Sequence, residues 1–128
     1  MQQVRSNFGF AKTLRLLNAA QYREVFNKNL VRAAHPHLLI LARPNELEHP
    51  RLGLVIAKKH VRNACDRNQI KRITRETFRL QQHQLPPLDA VVLARPGAAD
   101  LDKAALAKIL NKLWRKLAKR AQQPQSTP

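Results

Sequence analysis

Apolar residues along this 128-residue chain recur with two different periods. Short runs of strand length contain Leu38-Leu39-Ile40-Leu41-Ala42, Leu54-Val55-Ile56 and Ala90-Val91-Val92-Leu93. They predict strands within residues 30–43, 51–58 and 89–95. Other segments repeat at helical spacing. A first helix is predicted over about 19–27, because Asn18 and Gln21 match a capping box and Tyr22 and Phe26 stand at i and i+4. A second should begin near Ala64, behind the capping pair Asn63 and Asp66, and end near Gln82, ahead of Pro86-Pro87. A third should begin near Asp100 or Asp102 and run to about Arg120, burying Leu106, Ile109, Leu110, Leu113 and Leu117 on one face. Residues 44–50 form a polar loop bounded by prolines. Residues 1–17, with Phe8-Gly9-Phe10, are an irregular basic lead, and residues 121–128 are a Gln/Pro/Ser-rich tail expected to be disordered. The order helix, strands, helix, strand, helix predicts one α/β (α+β) domain over 1–120. Its architecture would be a two-layer sandwich around a small mixed sheet.

Charge changes this picture from a fold to a function. The chain has 24 Lys and Arg against 8 Asp and Glu, a net charge of +16. Self-repulsion on that scale disfavours a compact monomer, and a polyanionic partner relieves it. Nucleic acid is the economical choice. An anionic membrane is a weaker one, because no segment approaches the roughly 18 consecutive apolar residues of a span. No secretory signal is visible, and the lone Cys65 suits the cytoplasm.

The cations concentrate between Lys58 and Arg79, which holds eight Lys or Arg and only two acids, Asp66 and Glu76. On a helical wheel of about 100° per residue with Arg67 at zero, Lys71 falls near 40°, Arg75 near 80°, Asn68 near 100°, Arg79 near 120° and Arg72 near 140°. Leu80, Ile73, Thr77 and Ile70 fall near 220° to 300° and should form the buried side. Like charges at i+4 weaken a helix by a few tenths of a kcal/mol each. A merely solvated face would mix signs, so the cationic face reads as a contact for RNA or DNA. Lys58 and Lys59 extend it as a phosphate-binding rim. The last helix adds Lys103, Lys108, Lys112, Arg115, Lys116, Lys119 and Arg120 as a long-range field, and Trp114 reads as packing. An aromatic i, i+4 pair such as Tyr22 and Phe26 reads first as core, although such faces can also stack unpaired bases. Catalytic readings fail on inventory. The five histidines have no evident carboxylate or nucleophile partner, Cys65 reads as structural, and no metal spacing is present.

The ordered residues Arg51-Leu52-Gly53-Leu54-Val55-Ile56-Ala57-Lys58-Lys59, then Arg67-Asn68-Gln69-Ile70-Lys71-Arg72 and Arg75-Glu76, resemble the signature of the bacterial ribonuclease P protein subunit. Asp89-Ala90-Val91-Val92-Leu93-Ala94-Arg95, Gly97 and the Leu/Trp-rich last helix follow in the same order, so the resemblance covers about residues 12–118. It implies a left-handed crossover into the last strand, against the usual hand. It implies a cytoplasmic ribonucleoprotein endonuclease, a hydrolase of tRNA processing, in which a catalytic RNA and its magnesium ions remove the 5′ leader of precursor tRNA. The protein would be a non-catalytic subunit with no organic cofactor, no metal site of its own and no membrane partner, one copy per RNA. Carried over residue by residue, the family's arginine-rich helix falls on Arg67, Asn68, Lys71, Arg72 and Arg75 as contacts to the catalytic RNA, and Lys58 from the basic rim and nearby Arg62 are counted with them. The leader groove, between the first helix and the sheet, falls on Tyr22 and Phe26, with Ile40 on its floor and Lys59 at its edge. This favours stacking for at least one aromatic, reversing the first reading. The family usually has Arg where this chain has Gln69, which implies one lost or neutral contact rather than loss of function, with nearby Arg62 as the compensating cation. On composition alone, a ribosomal or RNA-chaperone protein with no link to catalysis remains the alternative.

Overall fold

The computed structural model describes residues 14–121; the lead before Leu14, with Phe8-Gly9-Phe10, and the tail after Ala121 lie outside the described residues. Helix α1 (Ala19–Lys28) starts where its capping box demands. Asn18 Oδ1 accepts the backbone N–H of Gln21 at 3.0 Å, and Gln21 Oε1 accepts that of Asn18 at 3.3 Å. A hairpin follows, β1 (Val31–His35) and β2 (Leu38–Pro44), and then β3 (Arg51–Val55). β3 stops short of the expected Lys58. A turn closed by the N–H groups of His60 and Val61 on the Ala57 carbonyl carries Lys58 and Lys59 out into solvent. Helix α2 (Ala64–Gln81), strand β4 (Leu88–Ala94) and helix α3 (Lys103–Ala121) complete the chain. Asn63 caps α2 through the N–H of Cys65 at 2.9 Å rather than pairing with Asp66, and Asp102 caps α3 through Ala105 at 2.8 Å. Ala121, placed in the tail by composition, is the last residue of α3.

The four strands form one mixed sheet in the order β1-β2-β4-β3. β2 pairs antiparallel with β1 and β4, whereas β3 and β4 are parallel and joined through α2. The chain is therefore α+β, with three helices among the described residues disposed about a four-stranded sheet. α3 packs over the β1 side and against α2, and α2 contacts β3. One sheet face is the main core, where Ala33, Ile40, Ala90, Val92 and Leu52 meet Leu106, Leu110, Trp114 and Leu117 of α3 and Ile70, Ile73 and Phe78 of α2. The other face carries a smaller cluster, Leu16, Val25, Leu41 and Val91, which α1 covers.

Between α2 and α3 the core is pinned by polar groups. Trp114 Nε1 donates to Thr77 Oγ1 at 3.0 Å, Thr77 Oγ1 donates to the Thr74 carbonyl at 3.0 Å, and Thr74 Oγ1 donates to the Ile70 carbonyl at 2.7 Å. Phe78 meets Trp114 edge to face, with ring centroids 5.2 Å apart. The buried side of α2 is thus Ile70, Ile73, Thr74, Thr77 and Phe78. Leu80, assigned to that side by the wheel, is 62% exposed. The reason is direction: α3 and the sheet approach α2 from an arc that runs from Ile73 round to Phe78, about 240° to 20° on the wheel, and Leu80 lies just outside it.

Candidate nucleic-acid interface

The cationic side of α2 is accessible. Asn68, Arg72 and Arg79 are exposed, as are Arg62 on the preceding turn and Lys58 and Lys59 before it. Arg67, Lys71 and Arg75 are half-buried, because the core arc reaches round to Phe78 and brings their stems against neighbouring residues. Arg67 has a structural task as well: its Nη1 donates to the carbonyls of Val61 and Arg62 at 3.0 and 2.8 Å, locking the turn that presents Arg62. The few carboxylates do not neutralise this side. Among the described residues, ion pairs join Glu24 to Lys28 and Arg43, and Asp89 to Arg51, where two bonds of 2.9 and 2.8 Å make a bidentate pair. The Asp89 hydrogen bond holds the Arg51 guanidinium above its ordinary pKa, outweighing burial.

Lys71 and Arg75 form one wall of a cleft of about 310 Å³ whose other lining residues are Arg15, Leu16, Leu17, Tyr22, Leu52 and Leu54. Two surfaces that the sequence reading kept separate, the arginine-rich helix and the aromatic residue of α1, therefore meet. Burial, and next the positive charge of Arg15, draw the Arg75 pKa below its ordinary value. A guanidinium stays protonated under such a shift. The local field is strongly positive, and an anion entering the cleft relieves it.

Tyr22 is placed by the edge of the sheet. β3 is an edge strand, and its outward groups need partners. Leu16 N–H donates to the Leu52 carbonyl at 3.0 Å, and Leu54 N–H donates to the Tyr22 hydroxyl at 3.2 Å. The Tyr22 side chain thus lines the cleft with its oxygen anchored on backbone. Phe26, one turn later, is 38% exposed but does not line the cleft.

Ile40 requires a correction. It is fully buried in the main core, on the sheet face turned toward α3. Its neighbours Leu39 and Leu41 point to the α1 face, where half-buried Leu39, Val55 and Leu93 flank the α1 contact. A strand alternates its side chains, so one position decides the face. Ile40 cannot be the floor of a groove under α1. Arg15 was absent from the sequence-based site; its bridge to Leu52 carries it into the cleft, and no local pattern announces that.

Among the described residues, no His, Cys, Asp or Glu group of three or more is gathered to hold a metal ion. No helix among them is long and apolar enough to cross a membrane. A family model described as Ribonuclease P matches residues 10–118. The ribonuclease P protein component of Idiomarina loihiensis is 47% identical over 123 residues, covering 96% of this chain and 98% of that protein. That of Escherichia coli is 52% identical over 115 residues, covering 90% and 96%. Solved structures agree: the Staphylococcus aureus RNase P protein superposes with a TM-score of 0.71 at 28% identity, covering 87% of this chain and 97% of that one. The Thermotoga maritima RNase P protein, in complex with 1-(4-fluorophenyl)-2-thiourea, gives 0.69 at 29%, covering 79% and 98%. Matched along nearly its whole length in both sequence and fold, the chain belongs to the protein-component family of ribonuclease P, an endoribonuclease complex of tRNA processing with an RNA partner.

Proposed function

We propose that the chain is the non-catalytic subunit of a ribonuclease P holoenzyme and uses two adjoining surfaces. Exposed cations of α2 and of the turn before it (Lys58, Arg62, Arg72) and the neutral amide of Asn68, with the free edges of Arg67, Lys71 and Arg75, bind the catalytic RNA. The cleft beside Tyr22 takes the 5′ leader of precursor tRNA, and Phe26 and Lys59 extend that surface. The observation that carries this reading is the joint lining of one cleft by an aromatic ring, apolar side chains and three cations, Arg15, Lys71 and Arg75. Unpaired nucleotides need that combination, a surface for bases and charge for phosphates. A volume of about 310 Å³ suits part of an extended strand and is far too small for a duplex.

Cleavage itself is assigned to the RNA. In this reading magnesium is held by the RNA, and no step is routed through the protein. The Lys and Arg contacts supply charge neutralisation, which lets two polyanions, the RNA and its substrate, approach one another at low magnesium.

Reconstitution tests this. Protein added to ribonuclease P RNA and precursor tRNA at low magnesium should restore 5′ processing, at a stoichiometry of one protein per RNA. A ribosomal or chaperone-type protein would leave cleavage at the RNA-only rate, and that result would overturn the proposal. Within it, Tyr22→Ala should weaken binding of the precursor and spare mature tRNA.

A further inference from the structure

A second cationic column stands on α3. Lys108, Lys112, Lys116 and Arg120 follow one another at i+4, and all are exposed. Exposed Arg115 and Lys119 widen the stripe, and α3 contains no acid. On a wheel with Lys103 at zero these six cations span about 120° to 260°, opposite Leu106, Leu110, Leu113, Trp114 and Leu117. Stacked like charges cost helix stability here as they do at Arg67, Lys71, Arg75 and Arg79.

The stripe is continuous with the edge of the sheet. Arg120 Nη1 donates to the Arg32 carbonyl at 2.6 Å, which brings this end of the column over β1. Arg32 is itself exposed. His35, at the end of β1, feels Lys112 and Lys116 and stands 5.6 Å from His37, ring centroid to centroid. Arg95 reaches the His35 carbonyl at 3.5 Å. None of these cations joins an ion pair among the described residues, where the paired carboxylates are Glu24 and Asp89. A solvated helix face normally interleaves both signs, and this flank carries one.

We infer that the outer side of α3 and the adjoining β1 edge form a second binding surface for an RNA phosphate backbone, separate from the α2 ridge. The sheet order sets β1 and β3 at opposite edges, with α3 over the β1 side and α2 against β3. Three strand spacings of about 4.8 Å separate those edges. The two columns thus address two different stretches of backbone, and the protein bridges RNA segments. Charge complementarity alone recruits this ligand, with no base recognition, so the contact is sequence-tolerant and salt-sensitive.

The inference rests on the reading that the partner is RNA, and the test separates the two. In the full-length protein, Lys108→Gln/Lys112→Gln/Lys116→Gln is compared with Lys71→Gln/Arg72→Gln, leaving Arg120 to hold Arg32. Affinity for ribonuclease P RNA is measured across a salt series, with a thermal melt confirming the fold. The triple substitution should flatten the log–log salt slope by about 2, from roughly 0.7–0.9 per lost phosphate contact. A photoreactive group on Lys112→Cys, in a Cys65→Ser background, should crosslink to nucleotides other than those reached from Lys71→Cys. A slope moved only by the α2 substitutions, or crosslinks from position 112 that miss RNA or coincide with those from 71, overturns the second surface alone. A slope moved by neither set overturns both it and the RNA-binding reading.

Discussion

Gly53 lies directly against the ring of Tyr22: a Cβ at position 53 would stand 2.7 Å from Cε2 and 2.8 Å from Cζ of the tyrosine, and 2.9 Å from Cδ1 of Leu16. Only a residue without a side chain lets the ring settle on β3. Tyr22 and Leu16, the two residues it admits, both line the cleft. Gly53→Ala should displace the ring and Leu16, costing about 1–3 kcal/mol of stability. It should also weaken precursor tRNA binding while mature tRNA binding holds. Denaturant unfolding and paired titrations check this; an equal loss on both RNAs would remove the ring from leader binding.

Tyr22→Phe separates the anchor from the ring. The ring stays, but Leu54 N–H on the outer edge of β3 loses its acceptor. A half-buried hydrogen bond of this kind is worth about 0.5–1.5 kcal/mol. Stability should fall by that amount with precursor affinity largely kept, whereas Tyr22→Ala should lose both. If Tyr22→Phe weakens precursor binding as much as Tyr22→Ala does, the hydroxyl rather than the aromatic face is what the leader meets.

Thr77→Val keeps the shape of a fully packed position and strands the Trp114 indole N–H inside the α2–α3 contact. Leaving a buried donor unmet costs about 1–3 kcal/mol. The melting temperature should drop, and the salt slope of RNA binding measured well below the melt should not move. A changed slope would mean that this network sets the geometry of the cationic ridge rather than its stability alone.

Much of this architecture is legible along the chain, and the places where it is not have physical causes. Asn18 with Gln21, and the spacing of Leu106, Leu110, Leu113 and Leu117, announce α1 and the buried side of α3 through local rules. Strand β1 stays hidden because two of its five residues are alanine, a weak strand former. Ile40 sits in a run apolar on both faces, which has no visible alternation, so its direction cannot be read. Phe78 and Leu80 are equally apolar, and only the approach of α3 decides between them. The meeting of Tyr22 with Lys71 and Arg75 is a tertiary fact, made by the edge of β3, and no spacing records it. Gln69 is half-buried at the border of the ridge, in keeping with its wheel position.

Arg67 and Lys71 should differ although both are cations of one column. Lys71 has no intramolecular bond among the described residues, so Lys71→Ala should remove at most one phosphate contact and flatten the salt slope by about 0.7–0.9. Arg67 also fastens the carbonyls of Val61 and Arg62. Arg67→Ala should therefore lower stability as well as affinity, and Arg67→Lys should rescue little, since both bonds come from Nη1, one atom further along the side chain than a lysine ammonium reaches. Melts and salt series on the three variants check this. Full rescue by lysine would reduce Arg67 to a point charge.

His35 should report directly on the α3 flank through its protonation. Burial first, then the positive charges of His37, Lys112 and Lys116, hold its pKa below the ordinary 6.5. The unfolded chain therefore binds this proton more readily than the fold does. Stability from His35 is complete above about pH 6.5 and is lost as pH falls through the lowered folded value. His35→Gln should flatten that acid limb of a stability–pH profile. RNA on this flank reverses the sign: a phosphate near the imidazole favours the charged form, so the bound pKa should rise and association should take up a proton below pH 6.5. Titrating the His35 ring resonances with and without RNA measures both values. Calorimetry in two buffers of different ionisation enthalpy counts the proton. An unmoved His35 pKa in the complex would leave the flank facing solvent and confine the RNA to α2.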